Sequence, residues 1–172
     1  MKRIALHFPK VWKAALYLFF ALSWLSGTGW FALHRWVTVE GEFGPQPSSW
    51  EGPLLKLHGG AAMMMMVYYG YLLASHIPVG FRSGRSRVTG LFLAISLGFM
   101  IVTAYGLYYI GDEDVRGVIA WAHLCTGVLI PLVLIIHVWL GHRQRSSQIR
   151  ETGALRLPGL RHIATSSMTD ET

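Results

Sequence analysis

The sequence predicts an all-α membrane protein, a four-transmembrane-helix bundle with both termini on the cytoplasmic side. Three observations predict it. Of 172 residues 52% are apolar and only 14% charged, against about a quarter charged in soluble domains. Four apolar stretches each reach or exceed the roughly 20 residues that cross about 30 Å of hydrocarbon. The segments between those stretches alternate in the sign of their charge, as membrane-flanking loops do.

The first stretch covers residues 11–36 and follows Met1-Lys2-Arg3, Lys10 and Lys13. This basic flank resembles the n-region of a signal peptide. The apolar run behind it is far longer than an h-region, and no small-residue cleavage site stands out, so a retained helix is expected. The second, third and fourth stretches cover 54–77, 88–110 and 118–140. With no water in hydrocarbon, each segment must bond its own backbone groups, which favours helices over barrel strands. Pro131 is expected to kink the fourth helix and free a carbonyl one turn back.

The connection Phe81-Arg82-Ser83-Gly84-Arg85-Ser86-Arg87 carries three arginines and no acid, and beyond the fourth stretch come His142-Arg143-Gln144-Arg145, Arg150, Arg156 and Arg161. The other two connections carry Glu40, Glu42 and Glu51, and Asp112, Glu113 and Asp114. Positive residues mark the cytoplasmic face, so in a Gram-negative inner membrane the acidic loops would face the periplasm. Residues 1–145 form one expected transmembrane domain. Residues 146–172, polar with Gly and Pro, form an expected cytoplasmic tail, loosely ordered. Trp12, Trp30, Trp36, Trp50, Tyr108, Tyr109, Trp121 and Trp139 fall where an aromatic belt belongs. The net charge of +6 does not point to nucleic acid, because the basic residues punctuate apolar runs.

Eight histidines are present, and their placement carries the functional expectation. His58 and His76 lie near opposite ends of the second stretch; His123 and His137 lie toward opposite ends of the fourth. His76 follows His58 by eighteen residues, about five full turns at about 100° per residue. His137 follows His123 by fourteen, within roughly 40° of four turns. Each helix therefore presents both histidines on one face, on the order of 20–27 Å apart along the axis. An ionisable side chain in lipid is costly unless paired or coordinated, and a neutral imidazole on iron resolves that cost. The expectation is two non-covalent haem b groups per chain, ligated by His58 with His123 and by His76 with His137.

Covalent attachment is not expected, because Cys125 is the single cysteine and no Cys-x-x-Cys-His occurs. Gly59, Gly60 and Gly127 would let a macrocycle approach the backbone, although small-residue helix packing explains them equally well. Lys56, Arg82 and Arg116 lie near the membrane faces where propionates would emerge. His76 falls about one turn deeper than His137. His142 matches that depth better but is rotated about 100° away from His123, so His137 is preferred. His7, His34 and His162 are read as solvent-facing or interfacial. The run Met63 to Met66 points in four directions around a helix and reads as flexible apolar filler.

At this point the sequence resembles the bacterial cytochrome b-561-like group of four-helix, di-haem membrane cytochromes. The matching residues are Leu57-His58-Gly59-Gly60, then Trp121-Ala122-His123 with Gly127, then Ile136-His137, and the resemblance covers about residues 5 to 145. It implies electron transfer from quinol, from superoxide, or between a membrane pool and a peripheral redox partner such as a periplasmic c-type cytochrome. One departure is plain. Many relatives take a haem ligand from a histidine at the cytoplasmic start of the first helix, where this chain reads Phe8-Pro9-Lys10-Val11-Trp12-Lys13. His7 precedes the proline, outside the helix, and His76 stands in its place, shifting the lower haem between the second and fourth helices. Two other classes of function stay open: a haem-bearing anchor subunit of a larger oxidoreductase, and a non-haem transporter or scaffold whose histidines bind metal or protons.

Overall fold

The computed structural model describes residues 9–83 and 86–166, with side chains placed for 9–82, 86–144 and 146. The order of elements is α1 (Lys10–Trp36), β1 (Thr38–Gly41), β2 (Gly44–Pro47), α2 (Glu51–Ala74), α3 (His76–Ser83), α4 (Arg87–Tyr109) and α5 (Glu113–Ser166). Four helical stretches, Lys10–Trp36, Glu51–Arg82, Arg87–Tyr109 and Glu113–Gln144, are long and apolar enough to cross a membrane. The expected four long apolar helices are therefore present, packed as a bundle.

Local chemistry explains most boundaries. Pro9 stands in extended conformation just before α1, and its carbonyl accepts the amide of Lys13. Asp112 Oδ1 accepts the backbone N–H of Val115 at 2.9 Å, satisfying one of the free donors that open α5. The single helix expected over 54–77 is instead divided at Ser75, between α2 and α3. Pro78 is the cause that the chain itself supplies. It has no N–H to offer the carbonyl four residues back, and its ring crowds that carbonyl, which belongs to Ala74, the last residue of α2. At Pro131, where a kink is expected, α5 runs on without a break in its helical assignment. The helix also continues to Ser166, past residue 146 where the loose tail is expected to begin.

The first acidic connection folds into a small antiparallel hairpin with Thr38 opposite Pro47 and Gly41 opposite Gly44. Only Glu42 and Phe43 turn the chain, and Gly44 takes φ +107, a left-handed conformation that glycine adopts without a Cβ penalty. This hairpin and the start of α5 lie at one end of the bundle, opposite the arginine-rich connection between α3 and α4.

The helices associate as two antiparallel pairs, α1 with α2 and α4 with α5, and contacts between the pairs are sparse. The well-buried positions in the helices are mostly small: Ser26, Ala61, Ala94, Ser96 and Thr103, with Tyr68 and Ile130. Large apolar side chains instead point outward, among them Leu18, Val67, Phe92, Val102 and Ile135. That inversion suits lipid, where apolar surface gains nothing by burial and helices approach through small residues and interhelical hydrogen bonds. The hydroxyls of Ser26, Thr28 and Thr103 bond carbonyls of their own preceding turns, so none of them stands unsatisfied.

Among the described residues, a hydrogen bond and an aromatic contact help to join the pairs. The Tyr69 hydroxyl donates to the carbonyl of Ala94 at 2.9 Å, linking α2 to α4. Phe31 of α1 meets Trp121 of α5 edge to face at 6.2 Å. Tyr69→Phe should accordingly destabilise the bundle by about 0.6 kcal/mol, the usual size of an interhelical hydrogen bond in lipid. Denaturation by sodium dodecyl sulfate in mixed micelles reads that change.

Candidate functional site

His58 stands in the second turn of α2, with its ring against α1. Its Nδ1 lies 2.8 Å from the backbone carbonyl of Ser23, so Nδ1 carries the proton and donates it. Gly27 makes this seat available: a Cβ there would come within 2.7 Å of the same Nδ1. The Ser23 hydroxyl lies farther off, at 3.5 Å.

His123 of α5 is held in the same manner by α4. Its Nδ1 lies 2.8 Å from Thr103 Oγ1. The threonine hydroxyl has one hydrogen, and that hydrogen is directed to the carbonyls of Phe99 and Met100. The oxygen is therefore left to accept, and the proton between the two side chains belongs to His123 Nδ1. One level down, His137 Nδ1 lies 3.0 Å from Thr89 Oγ1, and the Thr89 hydroxyl points to the carbonyl of Ser86. Gly90 seats this ring, since a Cβ there would meet its Cε1 at 3.2 Å.

Three histidines thus share one state: Nδ1–H bonded to a neighbouring helix, and Nε2 bearing a free lone pair. That is how imidazoles which ligate metals are held, because the outer bond sets both tautomer and ring direction. His58 and His123 also face each other across the seam between the helix pairs, with ring centroids 6.3 Å apart and planes at 85°.

His76 is placed differently. It opens α3 directly after the break at Ser75, is exposed, and lies near enough to His137 and to Lys13 for charge on one to be felt by another. The break falls between the two candidate ligands of the second span. His142 is exposed on α5, and it is His137 that is tied to α4. His7 lies outside the described residues, as does the side chain of His162. His34 pairs with Glu51 at 2.9 Å.

Among the small residues, Gly59 and Gly60 have open space where a Cβ would stand, whereas Gly127 accommodates Met100, whose Cε would lie 3.1 Å from a Cβ there. Lys56, Arg82 and Arg116 are exposed. The indole Nε1 of Trp24 is buried and has no hydrogen-bond partner among the described residues. Trp24 stands two turns before Phe31 on α1, so the two share a face of that helix.

The donor set restricts the chemistry. Among the described residues no three His, Cys, Asp or Glu side chains gather into one group. A bare transition-metal ion takes three or four protein ligands. Compared with known proteins, the chain matches no family model, no curated protein and no solved structure.

The seats themselves can be tested. Thr103→Val should release Nδ1–H of His123, and Gly27→Ala should push the His58 ring aside. Gly70→Ala, with nothing within 4 Å of a Cβ, should leave both rings unchanged. The ¹⁵N signals of histidine-labelled protein report all three.

Proposed function

We propose that the chain is a membrane b-type cytochrome that carries electrons through two bis-histidine haems, between the quinol pool and a periplasmic redox partner such as a c-type cytochrome. His58 with His123 holds one haem, and His76 with His137 the other. What carries the proposal is the interval between the first two rings. Two imidazoles bound to opposite faces of one iron, through metal–nitrogen bonds of about 2.0 Å, have ring centres roughly 6.3 Å apart. The centroids of His58 and His123 stand 6.3 Å apart.

The residues present fit such a group in three further respects. Nδ1 of each of His58, His123 and His137 is already committed, which leaves Nε2 as the ligating atom. Gly59 and Gly60, beside His58, offer backbone without side chains. The buried Trp24 indole offers a donor with no partner among the described residues. Bound there, haem b supplies one-electron redox chemistry that protein side chains lack.

The chain's own part is to hold and to exclude. Thr103, Thr89 and the Ser23 carbonyl fix the imidazoles, which spares the rings a reorganisation when charge arrives. Ligation from both sides leaves no position open to oxygen. The outward-facing apolar side chains keep the surroundings dry. By the rule that positive loops stay in the cytoplasm, the arginine-rich end faces the cytoplasm with both termini. The hairpin end, with Asp112, Glu113 and Asp114, then faces the periplasm, where a lysine-rich partner would dock.

Purified protein should give the pyridine haemochrome of two haems b per chain. His58→Ala and His123→Ala should each remove the same single haem, and His76→Ala or His137→Ala the other. With planes near perpendicular, the His58–His123 haem should show a strongly anisotropic low-spin ferric signal in electron paramagnetic resonance. A colourless protein, or alanine variants with unchanged haem content, would sink the proposal. Reporter fusions at residues 42 and 146 should place those positions on opposite sides of the membrane.

A further inference from the structure

At the hairpin end of the bundle the last two turns of α1 and the first turn of α2 bring together Trp30, His34 and Glu51. Nδ1 of His34 lies 2.9 Å from Glu51 Oε2. The indole of Trp30 stacks on the imidazole, with centroids 4.9 Å apart and planes 12° from parallel. The two partners differ in exposure: the Glu51 side chain is 13% exposed and that of His34 56%. The carboxylate is thus covered, and the imidazole is clamped on one face and at one nitrogen while its other edge stays open.

We propose that this cluster is a quinol-binding site in which His34 accepts the substrate's hydroxyl protons. The inference rests on the electron-carrying function proposed above and names the place where the lipid-phase donor would bind. Four observations carry it.

The first is protonation geometry. With Nδ1–H directed to the carboxylate, Nε2 of His34 bears the lone pair. The bond to Glu51 sets the tautomer and the direction of the ring, so that Nε2 is the atom presented to a substrate hydroxyl. The second is depth. His34 lies in the last turn of a membrane-spanning helix, and at the same end Trp36 and Trp50 point outward, as aromatic side chains do at the headgroup level. A quinol ring anchored in the lipid by its tail reaches this level without leaving the bilayer.

The third is register. His34 stands seven residues along α1 from Gly27, and Glu51 stands seven residues before His58 on α2, so the pair sits two turns above the contact between Gly27 and His58 and on the same faces. That is about 10 Å along the helix axes, close enough for an electron to pass to a group held by His58 without another carrier. The fourth is pre-organisation. Stacking by Trp30 and the bond to Glu51 fix a ring that would otherwise turn freely at an exposed position, which is how a site is built in advance of its ligand.

The balance is simple. Each O–H bond of the quinol breaks, with its proton moving to Nε2 of His34 and then to water. The oxidant is ferric haem. The two electrons would be taken one at a time by the ferric haems of the proposed function, and quinone would result once two protons and two electrons had gone.

The test uses detergent-solubilised holoprotein with decylubiquinone as the equilibrium ligand and decylubiquinol as the reductant. His34→Ala should weaken decylubiquinone binding by about tenfold, or about 1.4 kcal/mol. His34→Gln keeps a hydrogen-bonding side chain without the basic nitrogen. It should bind within a few-fold of the parent yet slow haem reduction by about a hundredfold, at the low end of the range for loss of a positioned base. Haem content should stay at two per chain in both variants. Two haems retained with binding and reduction unchanged in His34→Ala overturns the site and makes the His34–Glu51 pair a clip between helix ends. Decylubiquinone binding that depends on His34 in a protein without haem supports the site and overturns the electron-carrying function.

Discussion

The bond from imidazole Nδ1 to a neighbouring helix is the interaction on which this structure turns. A histidine facing hydrocarbon is costly in either protonation state unless both nitrogens find use. His58, His123 and His137 each spend one nitrogen on an adjacent helix, through the Ser23 carbonyl, Thr103 and Thr89. One bond therefore does three things. It removes a buried donor, it joins two helices, and it decides which nitrogen is left to face the seam. In each case the partner is the helix packed beside the histidine, so each antiparallel pair holds its own rings.

The rest of the bundle is arranged around that provision. Lipid offers no hydrophobic reason for two apolar helices to associate, so close approach must come from small residues and polar contacts. The buried positions are accordingly mostly small ones, Ser26, Ala61, Ala94, Ser96 and Thr103. Glycine appears where a ring has to lie against backbone, at Gly27 beneath His58 and Gly90 beneath His137. Between the pairs the described contacts are few, chiefly Tyr69 with Ala94 and Phe31 with Trp121. On the proposed function, the material that fills this seam is the cofactor itself.

How much of this the sequence disclosed depends on how each feature is encoded. The four spans were legible because hydrocarbon permits a segment of that length and composition little besides a helix. The division of α2 from α3 was also written in the chain, at Pro78, but attention falls more readily on Pro131, which sits mid-span and leaves its helix unbroken. The β-hairpin was nearly invisible, because strands of four residues carry too little alternation to be told from a polar loop. Among the candidate ligands, depth and helical phase pick out His58 and His123, whose ring centroids stand 6.3 Å apart. The residues that hold them were not found. Ser23 acts through its backbone carbonyl, which leaves no trace in residue type. Thr103 and Thr89 did leave one: they are fourteen residues apart on α4, the same interval that separates His123 from His137 on α5, as the antiparallel register requires.

The division into two hairpin-like pairs has a consequence for biogenesis. A translocon releases helices in sequence, and α1 can dock on α2 while α4 and α5 are still being made. On the proposed function, each half would then wait in the bilayer with its histidines already aimed. If the seam is filled by cofactor, maturation is a late coupling of two prefolded halves, and shortage of that cofactor would leave inserted but unjoined halves exposed to membrane quality control, without impairing insertion itself.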